Sequence, residues 1–133
     1  NFIFFVFTNF LNNIMCTLTY LLNENGYVLF FNRDEQRSRL LALPPAFNTV
    51  HSAIYPIDPQ GDGTWIAVNQ YGRSYALLNN YQAPFNNNQK LVSRGQLILS
   101  LLKEQGNVIK QLEAMDVSVY HLFNYVFFQK IYL

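Results

Sequence analysis

The first third of the chain is built from short apolar blocks separated by polar turns. Residues 16–22 mix β-branched, aromatic and aliphatic side chains, a composition typical of a β-strand. Residues 23–26 end in an Asn-Gly pair that suits a hairpin turn. Residues 27–31 are an uninterrupted apolar run, which predicts a second strand covered on both faces. The pattern therefore predicts a hairpin inside a layered sandwich, followed at once by the polar residues 32–35.

The middle of the chain predicts more loop and then a second hairpin. Residues 36–62 carry several prolines and a glycine-rich turn, so we expect mostly loop with one short strand at 53–55. Residues 64–68 and 74–78 have the length and composition of two paired strands. Residues 82–92 predict a polar loop.

The pattern then changes to a helical period. Ser93 and Gln96 have the spacing of a capping box, and the apolar stripe behind them predicts a helix that ends at Gly106. Asn107 is expected to cap a second helix, and residues 120–128 predict a returning strand. This order of strands, helices and a final strand indicates the α+β class.

Composition and charge exclude several classes of function for this chain. The 133 residues carry a net charge of +1, which gives no electrostatic footprint for nucleic acid or an anionic membrane. The single cysteine excludes an internal disulfide framework and a cysteine-rich zinc site. His51 and His121 lack ligand spacing, so we predict neither a metal nor a cofactor. We expect a cytoplasmic protein.

The two ends differ from the rest of the chain. Residues 1–14 are almost wholly Asn, Phe and aliphatic residues, and they are too short to span a bilayer, which takes about 20 residues. We expect them to be a non-native or upstream extension in front of a start at Met15; a short signal-like segment is the alternative. Residues 15–133 are then expected to form one domain that is truncated at its C-terminus.

The candidate chemistry centres on Cys16. If Met15 is the initiator and is removed, Cys16 carries a thiol and a free α-amine on one carbon, with reference pKa values of about 8.5 and about 7.7–8.0. The amine can then accept the thiol proton, as in N-terminal nucleophiles. In the predicted hairpin, Arg33 and Asp34 leave the second strand beside Cys16, and the Arg33 guanidinium favours thiolate. The alternatives are a buried core cysteine and a structural Arg-Asp ion pair.

Acyl transfer also needs hydrogen-bond donors for an oxyanion, and a side-chain amide can provide one. Asn79, which follows the strand predicted at 74–78, is the first candidate, and Asn80 is its rival. Both asparagines also suit a simple turn.

Five short motifs resemble one known family, the NRDE family of transport and Golgi organisation proteins, named for its Asn-Arg-Asp-Glu signature. In this chain the motifs are residues 15–20, 32–35, 63–68, 76–79 and 93–95. Pro56, Asp58 and Arg39 also suit the family. The resemblance covers about residues 15–125.

The resemblance implies an αββα sandwich like that of N-terminal-nucleophile hydrolases. By analogy Cys16 is nucleophile and base, Arg33 and Asp34 tune and orient it, and Asn79 contributes to the oxyanion hole. Asn32, Trp65 and Asn80 are then expected to contact the substrate.

Two functions from different classes follow from this resemblance. The first is a hydrolase or acyl transferase that acts on a small-molecule amide (a non-peptide C–N bond). The second is a non-enzymatic protein that binds or moves haem or lipid, which requires an apolar cleft but no free amine.

Overall fold

The computed structural model describes residues 3–8, 16–79, 92–102, 106–120 and 123–129. Within these ranges the chain forms eight strands, two α-helices and a short 3-10 turn at Val117–Val119. The elements are β1 (Ile3–Thr8), β2 (Thr17–Asn23), β3 (Gly26–Asn32), β4 (Leu43–Asn48), β5 (Ala53–Ile57), β6 (Ile66–Asn69), β7 (Arg73–Asn79), α1 (Gly95–Leu102), α2 (Val108–Ala114) and β8 (Phe123–Gln129).

The small sheet contains the predicted first hairpin. Its described strands lie in the order β1-β2-β3, and both pairings are antiparallel. Thr17 lies opposite Asn32 at one end of the hairpin, and Asn23 lies opposite Gly26 at the turn. Gly26 has a φ of 143°, a conformation that glycine adopts without a steric penalty. The hairpin predicted from the sequence is confirmed.

The large sheet holds the other described strands in sequence order, from β4 to β8, with antiparallel neighbours throughout. The predicted second hairpin is β6 and β7, where Ile66 lies opposite Ala76. The returning strand β8 starts at Phe123, later than the predicted start at 120, and pairs with β7.

The prediction of mostly loop for residues 36–62 is wrong at β4, which runs through Pro44 and Pro45. Among the described strands β4 pairs with β5 alone, so one of its edges needs no hydrogen-bond donors. Its register shifts between Leu43 and Ala46, at the two prolines. Proline lacks an N–H, and an edge strand with an irregularity is where a sheet tolerates it.

The two helices confirm the predicted helical segments. α1 begins at Gly95, and its Leu97, Ile98, Leu101 and Leu102 are buried. The predicted end at Gly106 cannot be compared, since residues 103–105 lie outside the described ranges. None of the helices in the described ranges has the length and apolar character needed to cross a bilayer.

The second helix has the cap that the sequence predicts. The Asn107 side chain accepts hydrogen bonds from the backbone N–H groups of Ile109 and Lys110, at 2.9 and 3.3 Å. Val108 is buried against the core that α1 forms with the large sheet.

The opposite face of the large sheet packs against the small sheet through a second, smaller core. Leu18, Ala76 and Leu78 are its buried members. β3, however, is not covered on both faces as predicted, because the side chains of Val28 and Phe30 are 45% and 56% exposed. The small sheet thus buries one face, and the described helices lie on the far side of the large sheet. The chain is a mixed α+β domain with antiparallel sheets.

Candidate active site

A cavity of about 320 Å³ opens where β2 begins and β3 ends. Its walls come from five segments: the start of β2, the chain that follows β3, the loop between β5 and β6, Leu77 of β7, and the residues that open α1. Most of the NRDE-type motifs therefore meet at one place, although they are distant along the chain.

The hairpin register brings Cys16 to this cavity. Thr17 and Asn32 form the last pair of the β2–β3 ladder, so Cys16 and Arg33 occupy the next positions on neighbouring strands. The Cys16 thiol donates a hydrogen bond to the Asp34 carbonyl oxygen, with 3.6 Å between Sγ and the oxygen. Cys16 is half-buried; it packs against the Leu18 core and also lines the cavity.

Arg33 is fixed on the cavity wall by an aromatic ring and two carboxylates. Its guanidinium carbon lies 4.4 Å from the centre of the Trp65 ring, a cation–π arrangement. Its Nη2 atom lies 3.4 Å from Asp58 Oδ2 and 3.7 Å from Glu35 Oε1. The side chain is 16% exposed.

Asp58 is the centre of the ion-pair network. Its Oδ2 atom accepts hydrogen bonds from Arg39 Nε at 3.2 Å and Nη2 at 2.5 Å, and its Oδ1 atom accepts one from the Gln60 backbone N–H at 3.2 Å. Burial works to raise the pKa of this carboxyl, but these hydrogen bonds and the charges of Arg39 and Arg33 hold the pKa below its usual range. Asp58 is therefore ionised and joins two arginines.

The loop wall and the helix wall meet through two glycines. The Thr64 N–H donates to the Gly95 carbonyl oxygen at 3.3 Å. A Cβ atom on Gly63 would lie 2.5 Å from the Gly95 carbonyl carbon, closer than real Cβ contacts occur. The Gln96 side chain then ties the helix to the same loop by donating to the carbonyl oxygens of Gly61 and Asp62. Only glycine allows this approach, which closes the cavity on one side.

The environment of the thiol keeps it protonated. Burial raises the pKa of Cys16, and the nearby Glu35 carboxylate adds to the increase. A backbone hydrogen bond at Asp34 and the Arg33 charge act in the opposite direction but do not cancel it. Cys16 thus needs a base before it can act as a nucleophile.

The structure brings together some of the residues predicted to carry function. Cys16, Arg33 and Trp65 line one cavity. Asp34 contributes its carbonyl oxygen to the thiol, and Asn32 is the exposed last residue of β3. Neither Asp34 nor Asn32 belongs to the described lining of the cavity.

The two predicted oxyanion donors cannot be placed in the site. Asn79 is the last residue of β7, and its backbone pairs with Phe123 of β8. The Asn79 side chain and the whole of Asn80 lie outside the described residues.

Reasoning from the sequence did not assign three members of the network to the site, namely Glu35, Arg39 and Asp58. All three lie within or beside a motif of the family, and this position is the signal by which the sequence could have indicated them. No group of three or more His, Cys, Asp or Glu in the described part of the chain is arranged to hold a metal ion.

A second cavity of about 430 Å³ lies between β3 and the β4–β6 part of the large sheet. Most of the residues that line it are apolar, including Leu29, Ile54, Ile66 and Val68. This apolar cleft lies toward the hairpin turn, whereas the cysteine cavity lies at the opposite end of β3.

Fold and site together define an α+β domain of antiparallel sheets with a half-buried cysteine beside an arginine-rich cavity. The family model described as Transport and Golgi organisation 2 matches residues 15–131. The chain belongs to this family, which is the NRDE family that its residues 32–35 indicate. No curated protein and no solved structure matches the chain.

Proposed function

We propose that Cys16 is the nucleophile of an amide hydrolase or acyl transferase that cleaves a C–N bond in a small molecule. The observation that carries this proposal is the position of the thiol: it lines a 320 Å³ cavity together with the Arg33 guanidinium. A cysteine that served packing alone would not need an open cavity or a neighbouring cation.

The reaction requires Cys16 to be the first residue, so that its α-amine serves as the base that the raised thiol pKa demands. The amine accepts the thiol proton, and Sγ forms a bond to the amide carbon. The amine then returns this proton to the departing nitrogen as the C–N bond breaks. Water cleaves the resulting thioester to give the acid, or an acceptor amine or alcohol takes the acyl group.

The other family-motif residues have supporting roles in this proposal. Arg33 favours the thiolate, and Asp34 orients the nucleophile through its backbone. Asn79 or Asn80 supplies an amide N–H to the oxyanion. Trp65, which lines the cavity, contacts the substrate. The architecture that the family resemblance implies for this function is an αββα sandwich.

The test compares the full chain with a chain that begins at Cys16, each checked for folding by circular dichroism. Both are incubated with an acyl anilide, and intact mass and released aniline are measured. We expect the Cys16-first chain to gain the acyl mass on Cys16 and to release aniline. The matched control is Cys16→Ala at the same N-terminus, which should do neither. Absence of acylation in a folded Cys16-first chain contradicts the proposal.

The apolar cleft favours a second candidate, which is binding of an apolar ligand such as lipid or haem. Ile54 and Val68 line the cleft and provide the apolar surface that such a ligand needs. Titration with a fluorescent fatty acid and with haem tests this role. Ile54→Asp should abolish binding, while Val50→Asp, at an exposed position outside the cleft, should not. Ligand binding without acylation of Cys16 would favour the carrier function.

A further inference from the structure

We propose that the cysteine cavity is a carboxylate-binding subsite in which Arg33 holds the anion next to Cys16. Combined with the proposed function, on which this step rests, the subsite defines the substrate class as amides with a carboxylate close to the scissile bond. The binding itself does not depend on catalysis and is tested separately below.

Arg33 has donors to spare. A guanidinium carries five N–H groups, whereas both ion pairs of Arg33 run through Nη2, at 3.4 and 3.7 Å. Among the described residues, no hydrogen bond is made by its Nε or Nη1 atom. Because the side chain lines the cavity, these donors are available to a ligand there.

The two carboxylates that line the cavity already pair with groups of the protein. Asp58 accepts two hydrogen bonds from Arg39 and one from the Gln60 backbone. Glu35 is shared between Arg33 and Arg39 at 3.7 and 3.8 Å. Arg33 and Arg39 balance the charge of these two carboxylates, so a ligand anion would bind through the Arg33 N–H groups that neither carboxylate occupies.

The arrangement is also preorganised for a flat anion. Stacking on Trp65 and the ion pair with Asp58 fix the guanidinium before any ligand arrives. A fixed guanidinium loses little side-chain entropy on binding and can hold an unused N–H group in place for a carboxylate. A freely rotating lysine would offer neither advantage.

The first experiment measures how Cys16 reacts with two reagents that differ only in charge. Iodoacetate carries a carboxylate, and iodoacetamide is its neutral counterpart. Both alkylate the thiolate, so a change in the thiol pKa cancels in the ratio of their rates. We expect this ratio in the full-length chain to exceed that of a free cysteine peptide by about tenfold, because Arg33 captures the anion.

Matched variants assign the effect to Arg33. Arg33→Met should return the ratio to that of the peptide, and Arg33→Lys should give an intermediate ratio because it keeps the charge without the fixed guanidinium. Arg37→Met removes an exposed arginine outside the described lining and should leave the ratio unchanged. If Arg33→Met fails to fold, Arg33→Lys alone decides. A peptide-like ratio in the wild type, or a ratio unaffected by the Arg33 variants, overturns the proposal.

The second experiment locates the carboxylate by protection of Cys16 against iodoacetamide. N-acetylglycine, with its carboxylate on the amine side, is compared with N-acetylglycinamide; succinamate, with its carboxylate on the acyl side, is compared with succinamide. Protection by either acid but not by its amide supports the subsite and identifies the side. Protection by inorganic phosphate alone, or by acids and amides equally, contradicts it.

These outcomes are separable from the proposed function. Charge-selective alkylation without any amide cleavage would support the carboxylate subsite and contradict the hydrolase function. Cleavage of neutral and anionic anilides at equal rates would support the hydrolase function and contradict the subsite.

Discussion

The two faces of the large sheet differ in how they are covered. On one face α1 and α2 bury a broad apolar core that includes Tyr75, Leu97 and Leu101. On the other face the small sheet covers the strands through Leu18, Ala76 and Leu78, and leaves a cavity at each end of β3. Apolar burial stabilises the first face, whereas ion pairs and close backbone contacts shape the second.

This difference separates stability from chemistry. The candidate nucleophile Cys16 stands at the edge of the smaller core, where a side chain can be partly buried and still reach a cavity. On the face with the small sheet, the polar network around Asp58 fixes the positions of the side chains. On the helical face, hydrophobic packing fixes them. Changes on the two faces should therefore have different consequences.

The largest expected effect comes from truncating one leucine in each core. Leu101→Ala and Leu18→Ala each remove a fully buried side chain, and we expect each to lower the free energy of unfolding by about 2–5 kcal/mol. Leu101→Ala should cost more, because more buried neighbours surround it. Urea denaturation measures both.

The same two leucine substitutions should differ in their effect on the reactivity of Cys16. Leu18→Ala opens space beside the thiol and should speed alkylation by iodoacetamide under native conditions, while Leu101→Ala should not. Leu99→Ala, in the same helix but only partly buried, is the control for stability. If alkylation responds equally to both leucine variants, the two faces are not independent.

Much of the fold follows from local sequence signals. The Asn-Gly turn, the apolar blocks and the Asn107 cap each act within a few residues, so the hairpins and α2 could be predicted. β4 could not be predicted in this way, because its strand conformation depends on pairing with β5 and on an edge position that tolerates Pro44 and Pro45. The exposure of Val28 and Phe30 likewise depends on whether another layer covers that face of the small sheet, and an apolar run in the sequence does not specify this.

The site was predictable to the extent that the hairpin determines it. The β2–β3 register alone places Cys16 beside Arg33. Asp58 reaches the site from the loop between β5 and β6, and the contact between Gly63 and Gly95 joins that loop to α1. Such contacts between distant segments depend on the folded backbone, so the sequence indicated these residues only through family motifs.

Removal of the central carboxylate tests the polar side of the comparison. Asp58→Asn keeps the shape but removes the charge that joins Arg33 and Arg39, and should cost about 1.5–3 kcal/mol at pH 7. Because the pKa of the folded Asp58 carboxyl lies below its unfolded value of about 3.9, the charged form contributes stability above that pH. That contribution is lost as the pH falls through the folded pKa.

Urea denaturation of wild type and Asp58→Asn across the acid range therefore should show two converging curves. The difference in unfolding free energy is largest near neutrality and shrinks below about pH 4. Asp62→Asn, at an exposed position in the same loop, removes a carboxylate outside the described ion pairs and serves as the control, with little expected change in the free energy of unfolding at pH 7. A difference that stays constant with pH would mean that Asp58 acts through its shape and not through its charge.

The smallest expected effect is electrostatic and concerns Glu35. Its carboxylate contributes to the raised pKa of the Cys16 thiol, second to burial, and it also neutralises part of the Arg33 charge. Glu35→Gln should therefore lower the thiol pKa and speed alkylation by iodoacetamide at pH 7.5 a few-fold, with the gain vanishing at high pH where the thiol is ionised anyway. Glu24→Gln, in the exposed turn between β2 and β3, should leave the rate profile unchanged. A gain that persists at high pH would instead indicate that the substitution widened access to the cavity, so the pH profile of the rate distinguishes charge from packing at the one thiol in the chain.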